Sequence, residues 1–201
     1  MTPARTRQRV GAWWWLLRPA YYLVEVVVAA RVVGGYSFVD LTVSDLGSTT
    51  CRDVCSPWHP LMNGAFVGFG ALMALGAVLL HGRFGTGPRA ATATALLVVA
   101  GLASAAVGLV PVDASPGLHV LVAAPVFVAQ PLALVLLGLG VRRRRRTTGT
   151  VLVVTGVTTA VAAVGFVAVD LAHGAGAVER VALWPVFAAL AVLGWQERGA
   201  G

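Results

Sequence analysis

Apolar runs of roughly twenty residues, separated by short polar or basic turns, fill most of the chain. That is about the length a helix needs to cross the hydrocarbon of a bilayer. Six runs stand out, at about 14–34, 60–80, 90–111, 117–140, 149–171 and 179–196. They predict an all-α integral membrane bundle of six transmembrane helices, forming one membrane domain over 1–201. Pro19 suits the first turn of a helix. Pro125 and Pro131 lie inside the fourth run, where they are expected to kink it or open it locally. Trp13, Trp14 and Trp15 are expected at a headgroup interface. Gly64 and Gly68 form a small-xxx-small face suited to close helix approach. No internal repeat is visible, so an inverted-repeat transporter gains no support.

Composition excludes the alternatives to a membrane protein. Of the 201 residues, 58% are hydrophobic and 11% charged, and the mean hydropathy is +0.82. Soluble domains carry about 25% charged residues, and disordered chains need low hydrophobicity. The formal charge of +7 at first suggests a nucleic-acid binder, but its distribution points to the membrane. With the N-terminus inside, 12 of the 15 arginines fall on or near the inner face, among them Arg5, Arg7, Arg9, Arg18, Arg83, Arg89, Arg142 to Arg146 and Arg198. Arg31, Arg52 and Arg180 fall in the outer half, with Asp40, Asp45, Asp53, Asp113, Asp170 and Glu179. The positive-inside rule then predicts a multi-pass protein of the cell membrane with both termini cytoplasmic. The arginine run is a topology anchor able to touch anionic lipid, and no nucleic-acid partner is expected.

Three constellations carry candidate chemistry. Cys51 and Cys55 lie in the longest polar stretch, Gly35 to Pro60. On the oxidising side of a membrane they are expected to form a disulfide. With His59 they also read as Cys-x3-Cys-x3-His, a zinc-type donor set lacking a fourth ligand. Free thiols are the third reading.

The second constellation is a ring of polar groups at the outer helix ends: Ser44, Asp45, Asn63, Asp113, His119, Asp170, His173, Glu179 and Arg180. Asp113 and His119 flank a tight turn and form the favoured pair. Asp170 and His173 are i, i+3 neighbours. Carboxylate and imidazole together can do acid–base work or hold a divalent metal. The same residues also suit helix capping and interface hydrogen bonds.

The third constellation is the first run, with Arg18, Tyr21, Tyr22, Glu25 and Arg31. Arg18 is expected to snorkel to the inner surface and Arg31 to the outer one. Glu25 sits near mid-membrane, where a bare carboxylate is costly. It is expected to be protonated or bonded to Tyr21 one turn away, or to line a proton or substrate path.

Several of these residues fall in a recognisable order. Ser44-Asp45-Leu46-Gly47 is followed by Cys55-Ser56-Pro57 before Asn63, then by Pro111–Asp113 and His119, then by Gly176-x-x-Glu179-Arg180 and a Trp in the last run. This pattern resembles the bacterial and archaeal DUF998 membrane proteins over about Arg18 to Trp195. The resemblance implies a multi-spanning membrane domain and draws interest to Asp45, Asn63, Asp113, His119 and Arg180. It implies no reaction.

Four functions fit the sequence. The leading one is a lipid-facing or lipid-binding protein with a polar pocket at its extracytoplasmic face. The alternative is a membrane-embedded hydrolase or transferase acting on a lipid or polyprenyl substrate. A proton-linked small transporter using Glu25 and an accessory subunit packed on another membrane protein or on its own copy follow. No P-loop, dinucleotide turn or haem motif is present, and a divalent metal is the one cofactor the polar ring suggests.

Overall fold

The computed structural model describes residues 3–168 and 173–199. Those residues form an all-α bundle of seven helices: α1 (Pro3–Leu16), α2 (Ala20–Ala29), α3 (His59–Leu80), α4 (Pro88–Leu109), α5 (Pro116–Val141), α6 (Arg146–Ala168) and α7 (Ala175–Glu197). The last five are long and apolar enough to cross a membrane. Each packs on its neighbour in sequence, and α7 closes the ring against α1.

The first predicted span differs most. It is an arm of two helices, starting at Pro3 and broken at Leu17 to Pro19. Pro19 has no N–H to give the Trp15 carbonyl, which accepts from Arg18 instead at 3.1 Å. Tighter bonds from Ala20 to Leu17 and from Tyr21 to Arg18 carry the chain across the break. Prolines inside α5 have the opposite outcome, because that helix runs unbroken through both Pro125 and Pro131.

The break decides where the arm's large side chains go. Trp15 is fully buried; its Nε1 donates to the Met73 carbonyl at 3.2 Å and its ring stacks on Phe84. Arg18 is 1% exposed and does not snorkel. Its Nη1 donates to the carbonyl of Phe69, halfway along α3.

Close approach between helices also uses other glycines than expected. Gly64 and Gly68 face outward with nothing near them, whereas α3 and α4 meet at Gly70 and Gly101. A Cβ on either would press into the opposite backbone, so the crossing depends on both being glycine. Helix α7 is buried along most of its length, and α6 least. The buried stripe of α6 is narrow, Gly149, Leu152, Gly156 and Thr159, and Val151, Val154, Val157, Val161, Val164 and Val167 are exposed.

The two ends of the bundle differ chemically. At one end, Arg145 donates to Glu197 at 2.8 Å and Arg83 approaches the same carboxylate at 3.8 Å. At the other end, the loop between α2 and α3 folds down onto the helix ends. A 3-10 turn at Val43–Gly47 buries Leu46 completely, and the Cys51–Cys55 disulfide closes a small turn further along.

Candidate functional site

Most of the polar ring at the loop end is spent on holding that loop down. Arg180 and Glu25 form a buried ion pair, Nε to Oε1 at 2.8 Å. Trp184, one turn along α7 from Arg180, donates Nε1 to the second oxygen of Glu25 at 2.9 Å. Glu25 is therefore paired with Arg180 and Trp184, and the expected Tyr21 partnership is not formed. Tyr21 instead packs among the rings of Phe66, Phe69 and Phe187.

The rest of the Arg180 guanidinium reaches into the loop. Nη1 donates to the carbonyls of Phe38, Leu41 and Gly176 at 2.8–3.0 Å. Nη2 donates to the Tyr36 hydroxyl at 2.5 Å, which donates in turn to the Thr42 carbonyl at 2.6 Å. Burial pushes the Tyr36 phenol above its ordinary pKa, so it remains a donor. Gly176 is required here, since a Cβ would strike the Leu41 carbonyl.

Other ring members are also structural. Asp45 forms a capping box with Thr42, accepting from its N–H at 2.7 Å. Glu179 accepts from the Val43 N–H at 2.6 Å. Asn63 donates to the Gly47 carbonyl at 2.9 Å. Asp113, expected to pair with His119, accepts instead from the N–H groups of Thr49 and Thr50 at 2.7–3.0 Å. Slight burial raises its carboxyl pKa, but these bonds outweigh that and hold it at about 2. Asp40 accepts from Ser37 and from the Gly174 N–H, which hold its carboxyl below the usual range, with a smaller push from His173. His173 lies in the turn before α7, and Asp170 lies outside the described residues.

One pair has a different character. His119 is 5% exposed, and its Nδ1 lies 2.6 Å from the Val110 carbonyl. A carbonyl only accepts, so Nδ1 carries a proton, and in the neutral imidazole Nε2 is the acceptor. Nε2 lies 3.0 Å from Ser44 Oγ, which donates to it in that tautomer. A serine hydroxyl bonded to a tautomer-fixed imidazole is the arrangement of a nucleophile and its general base.

Ser44 lines an interior cavity of about 40 Å³. The polar wall of the cavity is Arg18, Tyr21, Ser44, Ser104, Gln130 and Glu179, and the apolar wall includes Phe66, Phe69, Phe127 and Phe187. The lining residues run from Ser44 in the 3-10 turn to Phe69, Gln130 and Phe187 in α3, α5 and α7.

Gln130 was not legible as a site residue, though it is the one amide in the apolar run 117–140. Trp184 and Tyr36 were missed as well. Trp184 lies four residues from Arg180, a helical spacing that places both on one face.

Among the described residues no three His, Cys, Asp or Glu side chains gather into a set able to hold a metal ion. The disulfide removes both thiolates from the Cys-x3-Cys-x3-His reading with His59.

The five long apolar helices define a multi-pass α-helical membrane protein. The chain belongs to the family described as Protein of unknown function (DUF998), whose model matches residues 16–196. No curated protein and no solved structure matches it.

Proposed function

We propose that this protein is a membrane-embedded acyl-transfer enzyme, a hydrolase or transferase of lipid esters, with Ser44 as nucleophile and His119 as general base. The observation that carries this reading is the 3.0 Å contact between His119 and Ser44, a residue that lines a mostly apolar cavity. Ser44 Oγ attacks the acyl carbonyl while Nε2 of His119 takes its proton. The imidazolium then gives that proton to the leaving alkoxide. Water or an acceptor alcohol, activated by the same nitrogen, releases the acyl group from Ser44. The Val110 carbonyl keeps the imidazole in the required tautomer.

Two observations support placing this end outside the cytoplasm of a cell membrane. Arginines concentrate at the opposite end, with the N-terminal segment and the run Arg142 to Arg146. The disulfide lies at the same end as Ser44, and disulfides persist in oxidising compartments.

A second reading, lipid binding without turnover, is favoured by the aromatic lining of the chamber. A long-chain alkyl fluorophosphonate, which phosphonylates activated serines, separates the two. Acyl transfer predicts an adduct on Ser44 in isolated membranes, none in Ser44→Ala, and labelling slowed about 100-fold or more in His119→Ala, as expected for loss of a general base. A folded wild-type protein that binds lipid yet leaves Ser44 unlabelled would overturn the enzyme reading in favour of binding alone.

A further inference from the structure

The Ser44 and His119 chemistry leaves one carboxylate of the cavity wall unused. Glu179 is 4% exposed and lines the same cavity as Ser44. Its Oε2 accepts from the N–H of Val43 at 2.6 Å. Val43 directly precedes Ser44, so the carboxylate stands beside the nucleophile. Arg180, its neighbour in sequence, pairs with Glu25 instead. The Oε1 of Glu179 bonds to no described residue and is not fully enclosed either, so it keeps surface toward the cavity.

The cavity has the size of a few waters. At roughly 10–15 Å³ for each water-sized sphere, about 40 Å³ admits about three. A buried water needs two to four polar partners. The wall offers the hydroxyls of Tyr21, Ser44 and Ser104 and the carboxylate of Glu179. The Ser104 hydroxyl gives its proton to the Phe66 carbonyl and still accepts. Water fits this space, and an acceptor alcohol carrying a lipid chain does not.

We propose that Glu179 positions the water that releases the acyl group from Ser44, which makes the protein a hydrolase and not a transferase. The inference rests on the acyl-transfer reading and specifies its second half. The water donates one hydrogen bond to Glu179 Oε1. Its other proton passes to His119 Nε2 as its oxygen bonds to the acyl carbon. The bond from that carbon to Ser44 Oγ then breaks, Oγ takes the proton from Nε2, and the carboxylic acid leaves. Glu179 itself gains and loses no proton; it acts by fixing the water's place and orientation.

Glu179→Gln separates this role from holding the loop. A glutamine has one acceptor oxygen, which keeps the bond to the Val43 N–H. The NH2 it then turns to the cavity donates where the carboxylate accepted. The probe is 4-nitrophenyl laurate, added to the purified full chain in non-ionic detergent. Glu179→Gln should release a burst of one nitrophenolate per chain at the wild-type rate. Turnover after the burst should fall about 100-fold, with laurate trapped on Ser44 by intact mass spectrometry. Fluorophosphonate labelling of Ser44 should be unchanged. Ala123→Val, which fills part of the cavity from α5, should show the same split and carries the test if Glu179→Gln does not fold. Burst and turnover falling together would make Glu179 a loop contact only, and turnover unchanged in either folded variant would show that the cavity supplies no water. Both results overturn the inference while leaving Ser44 a nucleophile. A wild-type Ser44 that takes no fluorophosphonate would overturn the acyl-transfer reading and this inference with it.

Discussion

Two arginines lie buried inside this bundle, and their surroundings are opposite. Arg180 has a carboxylate, three carbonyls and a phenol, so every face of its guanidinium is occupied. Arg18 has one carbonyl and one aromatic face, and its Nε is buried without a hydrogen-bond partner among the described residues. The first is a staple. It gathers α2, α7 and the loop onto one cation, and its cost of burial is offset by partners already present. The second is a charge that the fold buries without completing. A saturated buried charge explains architecture, whereas an unsaturated one costs stability.

The largest expected effect lies on the saturated side. Arg180→Ala leaves Glu25 buried without its cation, and breaking such a pair costs about 3–5 kcal/mol. Thermal unfolding in detergent should show this as a drop on the order of 10 °C. Arg180→Lys should recover little, because an ammonium cannot reach carbonyls on both sides while holding Glu25.

Gly176→Ala comes next. Its new methyl would collide with the Leu41 carbonyl and crowd Arg180 Nη1, at a cost of about 1–3 kcal/mol as for other overpacked sites. Proteolysis of the loop at Arg52 should accelerate in that variant, since the loop loses its seat. If Arg52 stayed protected, the staple would not be what holds the loop.

Asp113→Asn is smaller, about 1 kcal/mol, because the site is partly exposed and solvent screens it. Its pH dependence has a definite sign. The folded pKa of about 2 lies below the roughly 3.9 of an unfolded Asp. The tie to Thr49 and Thr50 is therefore at full strength above about pH 4 and is lost as pH falls through 2. Amide exchange at Thr49 and Thr50 should stay slow to about pH 3 in the wild type and be fast throughout in Asp113→Asn.

The contrast between the two arginines also marks what the sequence could carry. Five spanning helices follow from run length alone, because apolar length is set by the bilayer and read locally. The Cys51–Cys55 disulfide followed from spacing and from the predicted extracytoplasmic side of its loop. The polar ring was legible as a set of residues but not as pairs. His119 lies 75 positions from Ser44, and Glu25 lies 155 from Arg180, so only tertiary packing could choose Ser44 over Asp113 or Arg180 over Tyr21. Arg18 was misread because snorkelling assumes a straight helix with a free path to the surface. The break at Pro19 turns the side chain inward, where α3 and α7 close around it. Gln130 was overlooked because its neighbours are apolar on both sides, which is also why its burial is informative.

The most direct test of the contrast is to melt Arg18→Met beside Arg180→Met in the same detergent without added lipid. Methionine removes the charge and keeps much of the length. Arg180→Met should unfold on the order of 10 °C below the wild type. Arg18→Met should unfold at the wild-type temperature or above it, because it relieves an uncompensated buried cation. If both variants fell by the same amount, Arg18 would be a second staple, and the contrast between the two arginines would fail.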